Sequence, residues 1–147
     1  MRVVALDLGT RRIGVAVCDA GGIMATPYST IERSGDAGAD RARVAETVAE
    51  VDAGLVVVGL PLSMDGTVGT AAAAALVEAE ALRAVLDVPV ELQDERLTSV
   101  SANRSLAAAG VTGRRRQAAR RAGAVDQAAA AIVLQSWLDA HRTGQGR

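Results

Sequence analysis

The chain has no lysine and no phenylalanine, and its 147 residues include one tryptophan, one tyrosine, one cysteine and three prolines. Each scarcity excludes something. The lone Cys18 forms no internal disulfide, which rules out a disulfide-stapled secreted scaffold and fits a reducing compartment. With Tyr28 and Trp137 as the only aromatics, base stacking is not the main way this chain would hold a nucleic acid. No apolar run approaches the roughly 18–20 residues of a membrane span. Arg2, then strand-like residues and Asp7, is not a signal-peptide pattern. His141 has no second histidine near it, so a zinc site is unsupported. A soluble cytoplasmic protein without a membrane partner is expected.

What is present is a core and a divided charge. Hydrophobic residues make up 50% of the chain, enough to fill the interior of one domain of this length. The net charge of -1 conceals an asymmetry, because residues 1–95 carry 7 Arg and 15 Asp and Glu, whereas residues 96–147 carry 9 Arg and 2 Asp. All 16 basic residues are arginine. Arginine contacts phosphate in a bidentate manner, so the basic final third is a candidate anion-binding surface. Codon bias and a solvated charged face account for it equally well.

Arg2–Leu8, Ile13–Asp19 and Ile23–Ile31 read as three strands joined by short turns, with Pro27 placing the third at an edge or a bulge. A helix is expected over Ala39–Val51 from the spacing of Val44, Val48 and Val51. Leu55–Gly59 (LVVVG) has the wholly apolar look of a central parallel strand. The loop LPLSMDGTVG follows, and Thr70 is placed to cap an Ala-rich helix running to about Leu86. Pro89–Gln93 reads as a fifth strand, Thr98–Ala109 as a helix and Ala124–His141 as the last helix. The structure of Val111–Arg121 is left open. The order is that of an α/β fold with a mixed sheet, as a single domain over residues 1–142 with a flexible tail at 143–147.

Asp7 sits in the middle of the first strand, where a buried unpaired charge is costly. Asp94 and Glu95 close the fifth strand, and Asp126 opens the last helix. If the fourth strand returns beside the first, the exits of strands one, four and five adjoin, and the last helix can carry Asp126 to the same rim. Asp7, Glu95 and Asp126 are therefore the candidate catalytic and metal-ligating residues, with Asp94 behind them. Such acids repel one another, and Mg²⁺ or Mn²⁺ relieves that repulsion. Two ions about 3.5–4 Å apart would serve phosphodiester hydrolysis. Simpler accounts stay open: turn amides satisfying Asp7, a surface pair of Glu95 with Arg96, and Asp126 favouring a helix dipole.

Around the acids, Thr10, Arg11 and Arg12 in the first turn, Ser63 and Asp65 in the later loop, and Arg96, Arg114, Arg115 and Arg116 are candidate nucleic-acid contacts. A plain Asp65-Gly66 turn equally explains the loop. Gly14, inside the second strand, implies that a backbone or ligand passes close to it.

The stretches LDLGTRRIGVAVCD, VVVGLPLSMDGT, DERLTS and VDQAAAAIVLQSWLD resemble, in order, four blocks of the YqgF/RuvX family of pre-16S rRNA nucleases, Holliday junction resolvase-like proteins. The resemblance runs from Val3 to Asp139. It implies an RNase H-like fold with sheet order 3-2-1-4-5 and acidic positions at Asp7, Glu95 and Asp126. The Arg-rich approach to Asp126 departs from the family pattern. The expected function is Mg²⁺-dependent hydrolysis of structured RNA in processing the 5′ end of pre-16S rRNA, leaving a 5′-phosphate and a 3′-hydroxyl. The alternatives are a junction DNA resolvase, which requires a homodimer rather than a monomer, and a non-catalytic RNA-binding ribosome assembly factor. DLGTRRIGVA also resembles the phosphate-binding start of sugar kinases, but the chain is too short for their second domain and has no G-x-x-x-x-G-K-[ST] loop.

Overall fold

The computed structural model describes residues 2–19, 21–95 and 118–145. Strands β1 (Arg2–Leu8), β2 (Arg12–Cys18) and β3 (Ala25–Glu32) open the chain. Helix α1 (Ala37–Glu50), β4 (Ala53–Leu60), α2 (Thr70–Val85), β5 (Val90–Asp94) and α3 (Ala118–Gln145) follow. The five strands form one sheet in the order β3-β2-β1-β4-β5. β1, β2 and β3 pair antiparallel, while β4 runs parallel to both β1 and β5. This is the order implied by the family resemblance.

Strand alternation divides the core in two. Val4 and Leu6 of β1 and Val56 and Val58 of β4 face α1 and α2, where they meet Val44, Val48 and Leu82. Val3, Ala5, Leu55 and Val57 point the other way, onto Ala130, Val133, Leu134 and Trp137 of α3. Burial on both faces explains why β4 reads as an unbroken apolar run. Arg41 of α1 grips Glu78 of α2 through two hydrogen bonds of 2.8 and 3.1 Å and ties the helices on one face together.

Several boundaries differ from those the pattern predicts. β3 begins at Ala25 rather than Ile23, because Asp19 Oδ1 accepts from the N–H groups of Ile23 and Met24 and holds them in the turn. Pro27 lies on the edge strand, opposite a register shift between Val15 and Ala16. α1 starts at Ala37, since Asp36 is the residue that caps it by accepting from Ala39 N–H. Thr70 is not a cap: Gly69 takes that position, with no side-chain capping bond, and Thr70 is the first helical residue. α3 is longer than its apolar spacing indicates, reaching back to Ala118 and on to Gln145. The expected helix over Thr98–Ala109 lies outside the described residues, as does most of Val111–Arg121. Among the described residues, no helix is long and apolar enough to cross a membrane.

Candidate active site

Asp7 falls on the α3 side of the sheet, because it continues the alternation of Val3 and Ala5. Its neighbours in the sheet are glycines on both sides. Gly14 of β2 stands directly opposite it. The β1–β4 ladder pairs Leu6 with Val58, so the next step sets Gly59 beside Asp7.

Each glycine clears a space that another acid enters. A Cβ on Gly14 would lie 2.0 Å from the backbone oxygen of Asp126 and 3.0 Å from its Cβ. The α3 helix therefore rests directly on β2 at this point. Asp126 lies well inside α3, which begins at Ala118, rather than in its first turn, so it does not serve to complement the helix dipole. A Cβ on Gly59 would lie 2.4 Å from Glu95 Oε2. The Glu95 carboxylate thus reaches back over β4 from just beyond the end of β5. Gly14, read in the sequence as a place of close approach, has α3 as its visitor. The role of Gly59 was not foreseen; its signal was a glycine ending an otherwise β-branched strand.

The electrostatics follow from this crowding. Burial first, and then the charge of Asp126, pushes the Asp7 carboxyl up to about 6. Burial, followed by the charges of Asp7 and Asp94, pushes Glu95 up to about 7. Burial also raises Asp126, with Arg12 pulling it down and Glu32 pushing it up. Asp7 is the common member, coupled to Asp126 on one side and to Glu95 on the other. Among the described residues, no three His, Cys, Asp or Glu side chains close into a ready metal-binding cluster. Asp7 is coupled pairwise to each of the other two acids, and Mg²⁺, which keeps several of its waters, is commonly held by one or two carboxylates. Oxygen donors of raised pKa fit a hard dication, whose charge cancels their repulsion.

The remaining candidates separate into distinct places. Arg12 shares the α3 side, donates from Nε to Glu32 Oε2 at 3.0 Å and acts on Asp126. Arg11 is exposed and, with Thr10, faces a cavity near the start of α1. Asp65 is engaged inside its own turn, where Oδ1 accepts from the N–H and the hydroxyl of Thr67 at 3.0 and 2.7 Å. Ser63 is held there too, its carbonyl accepting from Gly66 N–H, with Gly66 at a φ of 89°. This is the plain turn left open by the sequence. Arg96, Arg114, Arg115 and Arg116 lie outside the described residues. Gln127, next to Asp126, donates from Nε2 to Thr30 Oγ1 at 3.0 Å and anchors α3 to β3. Nothing in the sequence marked it.

Gly59→Ala tests the space over β4. The added methyl meets the mobile end of Glu95 rather than backbone, so the fold should tolerate it with a change of under about 1 kcal/mol. Catalytic turnover should fall at least about tenfold as Glu95 is displaced. Melting curves and single-turnover cleavage rates check the two halves of this expectation.

A family model described as Holliday junction resolvase matches residues 1–140. A protein of Leifsonia xyli subsp. xyli named "Putative pre-16S rRNA nuclease" is 46% identical over 139 residues, covering 95% of this chain and 86% of its own. One of the same name from Myxococcus xanthus is 46% identical over 142 residues, covering 97% and 90%. Among solved structures, T. thermophilus RuvC in complex with a Holliday junction substrate superposes with a TM-score of 0.59 at 17% identity, covering 99% of this chain and 97% of that one. That likeness is one of fold.

Proposed function

This chain belongs to the RuvX family of Holliday junction resolvase description, and from that membership and its acidic site we propose that it is a divalent-metal-dependent nuclease that processes the 5′ end of pre-16S rRNA. The observation that carries the proposal is Asp7 fixed between two glycine gaps, one occupied by α3 at Asp126 and the other by the Glu95 carboxylate. Acids from three distant segments, with raised pKa values and coupled to one another through Asp7, make sense as a site for a bound dication.

Asp7, Glu95 and Asp126 would hold Mg²⁺ or Mn²⁺, which when bound supplies Lewis acidity toward a phosphoryl oxygen and acidifies water. The chain's own residues do the rest. The central strand gives Asp7 a rigid position, and α3, pinned through Gln127, presents Asp126 from across β2. Arg12 stands beside Asp126 as a cation for a phosphate oxygen. Arg96 and Arg114–Arg116 would add phosphate contacts along a structured RNA. Binding then rests on shape and backbone charge, and should weaken steeply with salt.

The family description supports a second substrate, a four-way DNA junction, which calls for a dimer with two symmetric sites. The deciding experiment offers purified wild type and Asp7→Asn a precursor 16S rRNA and a DNA junction, each with Mg²⁺ and with chelator. Mg²⁺-dependent cutting of the rRNA precursor by wild type alone is expected. Cutting of the junction by a stable dimer, with the rRNA untouched, would transfer the activity to DNA. Equal cutting by wild type and Asp7→Asn would mean a contaminating nuclease and leave an RNA-binding assembly role.

A further inference from the structure

On the other side of the β1–β2 turn from the acids, two cavities of about 480 and 310 Å³ meet. Thr10 and Arg33 line both, so together they form one groove. It runs from Arg11 and the start of α1 past the turn to the first residues of α2. Arg33 stands at its centre. Its backbone N–H extends the β2–β3 ladder by donating to the Arg11 carbonyl at 2.9 Å. Its Nε donates to the Gly9 carbonyl at 2.7 Å, which fixes the plane of the guanidinium. The two terminal nitrogens of Arg33 make no hydrogen bond among the described residues.

Three acids line the groove, and each has its own partner. Glu32 takes the Arg12 guanidinium at 3.0 Å. Asp40, buried to 4% exposure, accepts from both the N–H and the hydroxyl of Ser34. Glu78 is gripped by Arg41. Arg11 and Arg33, by contrast, form no ion pair among the described residues. Asp40 stays ionised, held below the usual carboxylate range by its bonds from Ser34 and by the nearby charges of Arg33 and Arg43. The groove presents to a ligand the Arg11 guanidinium, the terminal nitrogens of Arg33 and the Thr10 hydroxyl. An oriented guanidinium with two terminal N–H edges directed away from its anchor is suited to a tetrahedral oxyanion.

We propose that this groove binds a phosphodiester of the substrate strand away from the bond being cut, with Arg33 as the principal contact and Arg11 and Thr10 beside it. The inference rests on the nucleic-acid reading above. It adds a second hold on the strand, reached by passing over the turn that follows Asp7. Held at both places, the backbone has its direction across the acids fixed. Arg33 is accordingly a positioning residue rather than a catalytic one.

The test measures binding, so it does not depend on a metal-loaded site. A labelled structured RNA with a 5′-hydroxyl, which offers only internal phosphodiesters, is titrated with full-length protein in chelator at several salt concentrations between about 50 and 300 mM. Arg33→Ala and Arg11→Ala should each weaken binding about five- to twentyfold and lower the slope of log K against log salt by about 0.7–0.9. Arg33→Lys should recover the slope but not the full affinity, because it restores charge without the planar fork. The Arg11 side chain makes no hydrogen bond among the described residues, and its backbone carbonyl bond to Arg33 survives truncation, so Arg11→Ala decides the matter if Arg33→Ala melts early. Wild-type affinity and slope in Arg11→Ala and in a folded Arg33→Ala would overturn the proposal, even where Asp7→Asn abolishes cleavage. Reduced slopes together with cleavage that survives Asp7→Asn would instead overturn the nuclease reading and leave the groove standing.

Discussion

Asp7→Asn should reduce cleavage about a thousandfold or more and, in the same preparation without metal, make the protein more stable. The loss follows from removing the carboxylate shared between the two others, since several kcal/mol of charge stabilisation at a bound cation corresponds to about three powers of ten in rate. The gain follows from linkage. Asp7 has a folded pKa of about 6 against an ordinary value of 3.8, so the native state holds a proton that the unfolded chain has released. Stability therefore falls as pH rises from about 4 to about 6 and stays low above that. Asparagine removes the penalty. At pH 8 the gain should be about 1–3 kcal/mol, a rise of roughly 3–10 °C in melting temperature for a domain of this size. Glu95→Gln should behave alike, with its window running from 4.5 to about 7. Thermal melts of the three metal-free proteins at pH 5 and pH 8 check this, with the full differences expected at pH 8 and about half of the Asp7→Asn difference, and about a quarter of the Glu95→Gln difference, left at pH 5. Equal melting temperatures at pH 8 would mean that the acids are better compensated than their crowding indicates.

Gly14→Ala should have the largest effect on folding of any methyl added at a described glycine. Its Cβ would lie 2.0 Å from a backbone oxygen of α3, and a helix backbone cannot rotate aside as the end of a glutamate can. To restore ordinary contact, α3 must lift from β2 by more than about 1 Å along a face packed near native density. Ala130, Val133, Leu134 and Trp137 all rest on the sheet there, so the cost should reach about 3 kcal/mol or more. Asp126 is carried away with the helix, and cleavage should fall with it. The contrast with Gly59→Ala is the informative part. The same substitution on either side of Asp7 should mainly destabilise in one case and mainly inactivate in the other. Denaturant melts of both variants, set beside their cleavage rates, make the comparison.

The parts of this arrangement that could be read in the sequence are those where a residue contradicts its surroundings. Asp7 stands out because a carboxylate among Val, Ala and Leu has no inexpensive structural reason. Gly14 stands out because a glycine weakens a strand unless something needs its space. The β4 run LVVVG declares a strand covered on both faces, and the sheet order follows from the crossover and the family pattern. What could not be read depends on which distant atoms arrive. Gly14 announced a gap, but only the folded chain puts Asp126 in it. Gly59 looked like the plain end of a strand, and only the folded chain shows Glu95 reaching back to it from just beyond the next strand. Arg33 gave no signal. Its importance arises where the β3–α1 corner meets the carbonyl of Gly9, 24 residues earlier. Asp65 bonds locally to Thr67, as the Asp65-Gly66 turn chemistry of the sequence already allowed.

Mn²⁺ titration followed by electron paramagnetic resonance, at pH 8 and without nucleic acid, tests the central claim most directly. Wild type should bind the ion, Asp7→Asn should lose binding, and Glu95→Gln and Asp126→Asn should each weaken it by at least about tenfold. Binding should also fade as pH is lowered through about 7 to 6, as Glu95 and then Asp7 take up protons. Undiminished Mn²⁺ binding by a folded Asp7→Asn protein would contradict the account, because the ion would then be held somewhere other than at the acids gathered around β1.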